Sequence, residues 1–514
     1  MDNRFNIVDL FFKAAKKYPN HLAIVQEETS ITFREYELQV LSTSVYFQNK
    51  GIEKGDRVLI FVPMGIDLYR IVLALFNIGA TAVFLDEWVS KRRMEECCKV
   101  AQCKAFIGVP KARVFAFFSS ELRKIPIKLG VKQGVFIKNQ GHPVVTEPND
   151  TALITFTTGS TGVPKAAKRT HGFLHEQFQA LLEKIDPRPE DVDMPVLPIV
   201  LLINLGVGCS SVIAKFNAKK PNKAQIERIY RQMQKNRVNR LVSSPFFVNT
   251  LARYLNDNQL ELPLLKKVFT GGAPVFPSEA STYINAFPTT QVEIIYGSTE
   301  AEPISSISAG ELVLEKDNLL KKGLNVGVPY RKTEVKIIRI TEEDISVHNE
   351  RELDEWVLPS GRIGEIIVSG AHVLREYFNN EKALKRNKIF IGEKCWHRTG
   401  DSGYMENGQL YLTGRCNTLI PVEEGFLSPF TYENYFQTIE GVEIGTLMKI
   451  DGKVYAILEV GERQLSNKQS IERIKAQVLK AGVPCDEINI VSKIPRDPRH
   501  NSKIDYGRVE DSFN

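Results

Sequence analysis

Residues 151–171 contain the pattern in this chain that points most directly to chemistry. The apolar run 152–156 leads into Thr157, Thr158, Gly159, Ser160, Thr161 and Gly162, and Lys165 follows. Glycines let backbone N–H groups turn inward, hydroxyls add neutral donors, and a lysine adds a positive charge. The pattern predicts a strand that runs into a phosphate-holding loop.

This loop differs from the common P-loop, which needs glycine directly before the lysine and Ser or Thr after it. Here Pro164 precedes Lys165 and Ala166 follows it. A surface turn rich in Ser, Thr and Gly is the alternative interpretation. Three segments further along the chain favour the phosphate loop.

The second segment covers residues 266–302, where two strand patterns each end in a turn. The first strand ends at Gly272, Ala273 and Pro274, where a flat ring could lie against bare backbone. The second ends in the run Tyr296, Gly297, Ser298, Thr299 and Glu300. Tyr296 could stack on a base, Thr299 could donate to a phosphate, and Glu300 could bind Mg²⁺, which prefers one or two carboxylates plus phosphate oxygens. Two ordinary strand-to-turn junctions are the alternative.

The third segment places Asp401 and Arg415 on turns that flank a hairpin-like alternation. One carboxylate can accept hydrogen bonds from both hydroxyls of a sugar diol. Taken alone, Asp401 could equally form an Asx-turn. The fourth segment, residues 494–505, follows a strand pattern at 488–491 and carries Lys503, for which a solvated basic tail is the alternative.

Length and composition predict an ordinary globular protein. The 514 residues are 43% apolar, enough for two or three domains. The 67 Lys and Arg and 61 Asp and Glu give a net charge of +6 and are interspersed without a long block, so the charge gives no argument for nucleic-acid binding.

The cysteines and the N-terminus indicate a cytoplasmic protein. The seven cysteines are odd in number and contain no CxxC pair, which favours buried thiols in a reducing compartment. Residues 7–15 form an amphipathic helix rather than a secretion signal. The apolar stretch 196–214 contains Pro198, Asn204 and two glycines, which favours a buried core or pocket wall over a membrane span.

Strand and helix patterns alternate along residues 20–150. Strands are predicted at 22–25, 31–33, 57–62, 81–85 and 105–109, and helices at 66–78 and 91–101. Thr32 and Glu35 form a capping-box signature for a further helix that ends at Gly51. Strands at 152–157, 238–243, 266–270 and 291–295 and a helix at 223–235 continue the series. The alternation predicts a parallel α/β sheet covered on both faces.

Together, the four segments resemble the adenylate-forming superfamily, which includes acyl-CoA synthetases, peptide-synthetase adenylation domains and firefly-type luciferases. The resemblance covers nearly the whole chain and the order of the motifs. It implies an α/β protein with a large N-terminal region of mixed α/β sheets covered by helices and a small mobile α+β C-terminal domain. The expected domains are residues 1–415, for adenylation, and residues 416–514, a lid that carries Lys503.

The resemblance also implies a role for each motif. Residues 157–162 and Lys165 would bind the β- and γ-phosphates of ATP, residues 272–274 and 296–298 would line the adenine, and Thr299 would contact the α-phosphate. Glu300 would bind Mg²⁺, and Asp401 and Arg415 would hold the ribose. Lys503 would bridge the substrate carboxylate and the α-phosphate. Two positions depart from the family pattern, Asn417 at the hinge and Ser502 before the lysine.

The acid to be activated is expected to be hydrophobic. Amino-acid-activating relatives carry an aspartate at the start of the pocket helix, but residues 195–214 contain no acidic side chain. An unpaired buried ammonium would be costly. The apolar residues in this stretch predict a wall for a fatty or 3-hydroxy fatty acid: Leu201, Leu202, Ile203, Leu205 and Val207.

Four stretches resemble one branch of the superfamily in particular, the β-lactone synthetases of olefin biosynthesis. They are residues 198–204, 242–245, 374–378 and 499–503. The expected partners are therefore a hydrophobic acid, ATP and Mg²⁺. The second step would transfer the acyl group to CoA or a carrier thiol, or the substrate's own 3-hydroxyl would displace AMP. A non-catalytic nucleotide-binding protein is the alternative from a different functional class.

Overall fold

The computed structural model describes residues 5–85, 91–132, 144–157, 165–216, 221–315, 319–423, 425–496 and 504–513. The strands in these residues are β1 (Leu22–Gln26), β2 (Thr29–Thr32), β3 (Arg57–Phe61), β4 (Thr81–Phe84), β5 (Ala105–Gly108), β6 (Ile127–Gly130), β7 (Thr151–Thr157), β8 (Lys165–Thr170), β9 (Val192–Pro195), β10 (Ser210–Val212), β11 (Arg240–Ser243), β12 (Lys267–Gly271), β13 (Gln291–Ser298), β14 (Ala301–Ser308), β15 (Leu324–Asn325), β16 (Val328–Pro329), β17 (Glu334–Ile338), β18 (Gly364–Ser369), β19 (Lys388–Ile391), β20 (Lys394–Glu406), β21 (Gln409–Arg415), β22 (Ile420–Val422), β23 (Gly425–Leu427), β24 (Val442–Ile450), β25 (Lys453–Val460) and β26 (Glu487–Val491).

The helices in the same residues are α1 (Val8–Lys17), α2 (Phe33–Asn49), α3 (Ile66–Asn77), α4 (Lys91–Ala101), α5 (Pro110–Phe117), α6 (Ser120–Lys124), α7 (His171–Ile185), α8 (Pro198–Val207), α9 (Lys223–Lys235), α10 (Pro245–Asn258), α11 (Pro277–Ala286), α12 (Ala309–Leu314), α13 (Leu319–Lys322), α14 (Glu350–Asp354), α15 (Glu381–Asn387), α16 (Pro429–Thr438), α17 (Glu462–Leu465), α18 (Lys468–Lys480) and α19 (Tyr506–Phe513). A short 3₁₀ turn, Cys416–Thr418, follows β21.

Two mixed sheets form the larger part of the fold. A nine-stranded sheet has the order β16-β14-β13-β12-β11-β9-β10-β1-β2, and a six-stranded sheet has the order β6-β5-β3-β4-β7-β8. Their inner strands are parallel, whereas β8, β14 and β2 each run antiparallel to a neighbour. Because β7, β12 and β13 lead directly into the motif segments, the motifs lie at the carboxyl ends of strands, where open α/β sheets bind ligands.

A third sheet is antiparallel, with the order β15-β21-β20-β18-β17 and with β19 paired to β20. The sequence patterns did not predict this sheet as a separate layer. After it come the hairpin β22-β23 and a three-stranded sheet, β24-β25-β26, covered by helices such as α16 and α18. The predicted fold class is confirmed: an α/β protein with mixed sheets covered by helices and a smaller α+β unit at the C-terminal end.

Several local predictions match the structure closely. Helices α4 and α9 have the predicted bounds, and Thr32 and Glu35 form both hydrogen bonds of the capping box. The strand predicted at 31–33 is wrong at Phe33, which begins α2 because Thr32 already caps the helix. All seven cysteines have free thiols.

The apolar stretch 196–214 forms the short helix α8 and the strand β10, and Leu201 and Leu205 are fully buried. The prediction of a core segment is therefore confirmed. In the described part of the chain, no helix is long and apolar enough to cross a bilayer.

A buried ion pair fixes the third sheet. Arg398 on β20 donates to Glu365 on β18 at 2.6 Å, and both side chains are almost wholly buried. Arg398 also donates to the carbonyls of Thr341 and Glu343. The second oxygen of Glu365 accepts from the Gly400 N–H at 3.3 Å, so this pair also orients the backbone next to Asp401.

We predict that Glu365→Gln lowers the free energy of unfolding by about 3–5 kcal/mol, because Arg398 then stays buried without its counter-charge. Chemical denaturation followed by tryptophan fluorescence measures this loss. Glu334→Gln is the matched control: it breaks the exposed pair with Lys394 in the same sheet and should cost less than about 1 kcal/mol. Equal losses in the two variants would contradict the role of the buried pair.

Candidate active site

Tyr296, Asp401 and Arg415 form a hydrogen-bonded cluster between the first and third sheets. The Tyr296 hydroxyl donates to Asp401 Oδ2 at 2.7 Å, and Arg415 Nη1 donates to Asp401 Oδ1 at 2.6 Å. Burial and the Asp401 charge raise the pKa of Tyr296 well above its usual value, so the phenol stays a donor. The Asp401 charge is also the main cause that raises the pKa of Arg415.

The predicted turn positions of Asp401 and Arg415 are wrong. Both residues lie on strands, and they are direct partners in the register of β20 and β21. The turn of this hairpin lies instead at Asn407 and Gly408, which both adopt positive φ angles. Asp401 and Arg415 face each other because β20 and β21 pair in antiparallel fashion from the hairpin turn as far as these two positions.

Two consecutive glycines with different functions lie at the end of β12: Gly271 is its last residue, and Gly272 follows it. A Cβ at Gly271 would lie 2.5 Å from the carbonyl oxygen of Ile295, so close packing of β12 on β13 requires glycine there. Gly272 has a φ of +85° and faces open space. Ala273 and Pro274 are half-buried beside it. The backbone at Gly272 therefore offers an open surface.

The junction of β13 and β14 carries Ser298, Thr299 and Glu300. A guanidinium nitrogen of the buried Arg169, on β8, donates to the Thr299 carbonyl at 3.2 Å. Ser298 Oγ is buried and has no hydrogen-bond partner among the described residues. A buried hydroxyl without a partner is costly unless something else satisfies it, which fits a ligand at this junction.

Residues 373–378 connect this junction to the second sheet. The Leu374 N–H donates to the Glu300 carbonyl at 2.7 Å, and the Tyr377 hydroxyl donates to Glu300 Oε1 at 3.1 Å. The Phe378 N–H donates to the Ala166 carbonyl at 2.8 Å on β8. The segment therefore sets the separation between Glu300 and Lys165, the first residue of β8.

Two lysines converge on the ring of Tyr377. Lys165 Nζ lies 6.0 Å from the ring centroid and donates to Asn387 Oδ1 at 2.9 Å. Lys388 Nζ lies 5.6 Å from the same centroid and donates to the Leu374 carbonyl. Burial lowers the pKa of Lys165, and it lowers the pKa of Lys388 to about 8, while the charge of Glu300 opposes both shifts.

The Arg415 charge also acts on Lys165, so residues from three separate sequence motifs share one electrostatic neighbourhood. The structure thus brings together Lys165, Glu300, Tyr296, Asp401 and Arg415, with Gly297 and Ser298 at the end of β13 and Thr299 in the turn that follows. Thr157 is the last residue of β7. Thr158, Gly159, Ser160, Thr161, Gly162 and Lys503 lie outside the described residues.

Four residues that the sequence prediction did not select lie in this neighbourhood: Arg169, Tyr377, Asn387 and Lys388. Tyr377 belongs to a stretch that carried the branch resemblance, but its hydrogen bond to Glu300 had no sequence signal. Lys388 is the first residue of β19, and a lysine at the end of a short strand would normally reach solvent. Its almost complete burial is a property of the fold alone.

The residues present fit a magnesium–nucleotide ligand. Glu300 supplies one carboxylate, and no group of three or more His, Cys, Asp or Glu side chains suited to a metal occurs among the described residues. Mg²⁺ commonly takes one or two protein carboxylates together with phosphate oxygens and water. The open backbone at Gly272 and the unpartnered Ser298 hydroxyl provide room and a donor for the rest of the nucleotide.

The chain on either side of residues 497–503 is anchored. Arg496 forms an ion pair with Glu459 at 2.6 Å and an antiparallel bridge with Ile504. The Tyr506 hydroxyl contacts the buried carboxyl of Glu433. Burial raises the pKa of Glu433.

An apolar crevice lies between α1, α3, α7 and α8. Its lining includes Leu10, Phe76, Phe178, Leu202 and Ile203. Phe178 and Ile203 also belong to an apolar cluster with Phe269 and Ile295, on the strands that end at Gly271 and Ser298. Apolar packing therefore extends from the candidate site to the crevice.

One buried acid, Asp193, lies just before the stretch that contains no acidic residue. It is fully buried on β9, accepts from the Asn204 amide at 2.8 Å, and burial raises its pKa to about 6. One oxygen of this carboxyl, Oδ2, is therefore engaged within the fold, and Oδ1 is buried without a partner among the described residues.

Comparison with known proteins finds similar chains and a shared fold. The chain is 27% identical to the olefin β-lactone synthetase of Stenotrophomonas maltophilia, over 98% of this chain and 97% of the relative. It is also 24% identical to the putative acyl–CoA ligase YdaB of Bacillus subtilis, and the matched region covers 95% of this chain and 95% of the relative. The solved O-succinylbenzoate coenzyme A synthetase of Bacillus subtilis, in complex with AMP, has the same fold, with a TM-score of 0.79 at 19% identity and 98% coverage of both chains.

The family model described as AMP-binding enzyme matches residues 11–378, more than half of the chain. This match favours the enzymatic prediction over a non-catalytic nucleotide-binding protein. The chain therefore belongs to the AMP-binding enzyme family and is an adenylate-forming ligase.

Proposed function

We propose that this enzyme uses ATP and Mg²⁺ to activate a hydrophobic carboxylic acid, fatty or 3-hydroxy fatty, as an acyl adenylate. The carboxylate oxygen attacks the α-phosphorus, the bond between the α-phosphorus and the bridging oxygen breaks, and pyrophosphate leaves. The observation that carries this proposal is the convergence of Lys165, Glu300 and the Asp401–Arg415 pair in one electrostatic neighbourhood, in a chain of the AMP-binding family.

Asp401 is proposed to bind the ribose. An ionised carboxylate has about four lone-pair positions, and Tyr296 and Arg415 occupy two of them. The remaining two match the two hydroxyls of a ribose diol. The adenine is proposed to lie against the open backbone at 272–274 and the residues 296–298.

Residues 157–162 and Lys165 are proposed to hold the β- and γ-phosphates, with Thr299 at the α-phosphate. Lys165 and Lys388 are largely buried cations beside a single carboxylate, Glu300, and a bound polyanion would supply the missing negative charge. Mg²⁺, bound through Glu300 and phosphate oxygens, would neutralise charge as the pyrophosphate leaves.

Residues 416–514 are proposed to form a mobile lid that carries Lys503 to the reacting groups, on the main domain of residues 1–415. Attack of a carboxylate on a phosphate brings like charges together. A cation that acts mainly in the transition state therefore contributes to the rate rather than to binding.

The apolar crevice beside α8 supports a hydrophobic acid. Its lining offers no carboxylate to pair a substrate ammonium, and Asp193 is already engaged by Asn204. An alkyl chain could extend along the apolar cluster from Ile295 towards Phe178 and Ile203.

For the second step, we propose that the substrate's 3-hydroxyl displaces AMP. The hydroxyl oxygen bonds to the acyl carbon, its proton leaves, the bond from the acyl carbon to the AMP oxygen breaks, and a β-lactone forms without a thiol. Two olefin β-lactone synthetases, at 27% and 28% identity over nearly the whole chain, favour this step. Transfer to CoA or a carrier thiol is the competing outcome, since acyl–CoA ligases are also relatives.

We predict that Lys503→Ala slows acid-dependent ATP–pyrophosphate exchange by about 10²–10³-fold, because it removes a cation that stabilises transition-state charge. The thermal unfolding midpoint should stay unchanged. Lys493→Ala, which removes an exposed lysine from the same C-terminal region, is the control and should exchange at the wild-type rate. A wild-type rate in Lys503→Ala would refute the proposed role.

We predict that the enzyme, given ATP, Mg²⁺ and a 3-hydroxy fatty acid, releases AMP and a β-lactone without CoA. Simple fatty acids, which have no 3-hydroxyl, should give only the adenylate. Mass spectrometry of a panel of acids, with and without CoA, measures both products. If AMP release requires CoA and yields a thioester, the lactone proposal fails and the thiol reaction replaces it. If no acid supports exchange, the proposed acid class fails as well.

A further inference from the structure

The helix α5 and its C-cap residue, Phe118, present large apolar side chains to solvent. Four residues, Val114, Phe115, Phe117 and Phe118, are 59%, 41%, 67% and 70% exposed. Val114, Phe117 and Phe118 follow the i, i+3, i+4 spacing that places side chains on one face of a helix. Contiguous exposed apolar patches of this kind mark interaction surfaces.

The small residues of α5 face the core instead. Ala116 is buried in the apolar cluster with Leu59 and Phe106, and Ala112 packs against the same cluster. A Cβ added to Gly108 would lie only 3.2 Å from Ala112 Cβ, so the helix lies close to β5. An amphipathic helix of a soluble domain normally places its large apolar residues inward. In α5 this arrangement is inverted.

Basic residues are frequent in the stretch of sequence that contains α5. Residues 110–132 contain six Lys or Arg residues and one acid, Glu121, a local net charge of +5 in a chain whose total is +6. The basic residues are Lys111, Arg113, Arg123, Lys124, Lys128 and Lys132. Among the described residues, Lys111 and Arg113 form no ion pair and are exposed.

The nearby acids contact neighbours other than Lys111 and Arg113. Glu121 pairs with Lys124 at 2.8 Å, and its side chain is only 12% exposed. Glu95 accepts hydrogen bonds from Ser119 Oγ and the Ser120 N–H. Glu96 pairs with Arg92 on α4. The surface around α5 therefore combines exposed aromatic rings with an excess of positive charge.

We propose that α5 and its basic surroundings dock the enzyme on an anionic phospholipid surface. Exposed Phe side chains beside Lys and Arg are typical of segments that lie in a membrane interface. Phe117 and Phe118 insert among the lipid chains, and Lys111 and Arg113 contact phosphate headgroups through long side chains. A protein partner is disfavoured by composition, because lysine is depleted from protein interfaces and four of the six basic residues are lysines.

Vesicle flotation with the full-length enzyme tests this proposal. Wild-type protein should float with mixed phosphatidylcholine–phosphatidylglycerol vesicles and remain unbound with phosphatidylcholine alone, and added salt should weaken binding. The double variants Phe117→Ser/Phe118→Ser and Lys111→Glu/Arg113→Glu should each bind at least about tenfold less. Leu479→Ser, which removes an equally exposed side chain from α18, is the control and should bind like wild type.

The thermal unfolding midpoint and the exchange rate on a short soluble acid should match wild type in all variants, since the substituted side chains are exposed. Wild-type protein that stays unbound with anionic vesicles would overturn the proposal, as would double variants that float normally. A wild-type dimer that both double variants convert to monomer, without vesicle binding, would show a protein interface instead and would also overturn it.

Discussion

The short segment 373–378 hydrogen-bonds to both mixed sheets at once, and the candidate site depends on this connection. Through backbone bridges, Val373 pairs with Ala301 and Tyr377 pairs with Ala167. The same segment places the Tyr377 hydroxyl on the carboxylate of Glu300. Together with the hydrogen bond from Arg169 on β8 to the Thr299 carbonyl, this link fixes the separation between Lys165 and Glu300, which belong to different sheets.

The link also explains the electrostatics of the cleft. Lys388 donates to the Leu374 carbonyl, and the Leu374 N–H donates to the Glu300 carbonyl. The buried lysine therefore positions Leu374, which in turn positions the backbone of Glu300. Burial lowers the pKa of Lys388 to about 8, because its charge is desolvated and no carboxylate lies within ion-pair distance among the described residues. Around Tyr377, two largely buried lysines share the charge of one neighbouring carboxylate, Glu300, and this local excess of positive charge suits a polyphosphate.

The sequence was informative wherever the signal was local. The capping pair Thr32–Glu35 and the bounds of α4 and α9 follow from residue types within a few positions. The strand predicted at 291–295 instead continues as β13 to Ser298. Asp401 and Arg415 were selected as site residues but placed on turns, because pairing register depends on the partner strand, which periodicity does not reveal.

The contacts that complete the site are non-local. Lys165 and Asn387 are 222 residues apart in the chain, so no spacing rule links them. The inverted face of α5 was missed for a related reason, since only the position of β5 shows which side of the helix is covered. The net charge of the whole chain did not indicate the basic residues near α5, because a total of +6 in 514 residues is ordinary. Only the positions of the charged residues show that they are concentrated there.

The central claim is that strand ends from three sheets gather around one nucleotide. Hydrogen–deuterium exchange with and without ATP and Mg²⁺ tests it most directly, because protection of backbone amides reports each segment separately. We predict that nucleotide slows exchange together at 270–275, 296–301, 373–378 and 399–415, and leaves α9 and α10 unchanged. Protection of only one of these segments, or of none, would contradict it.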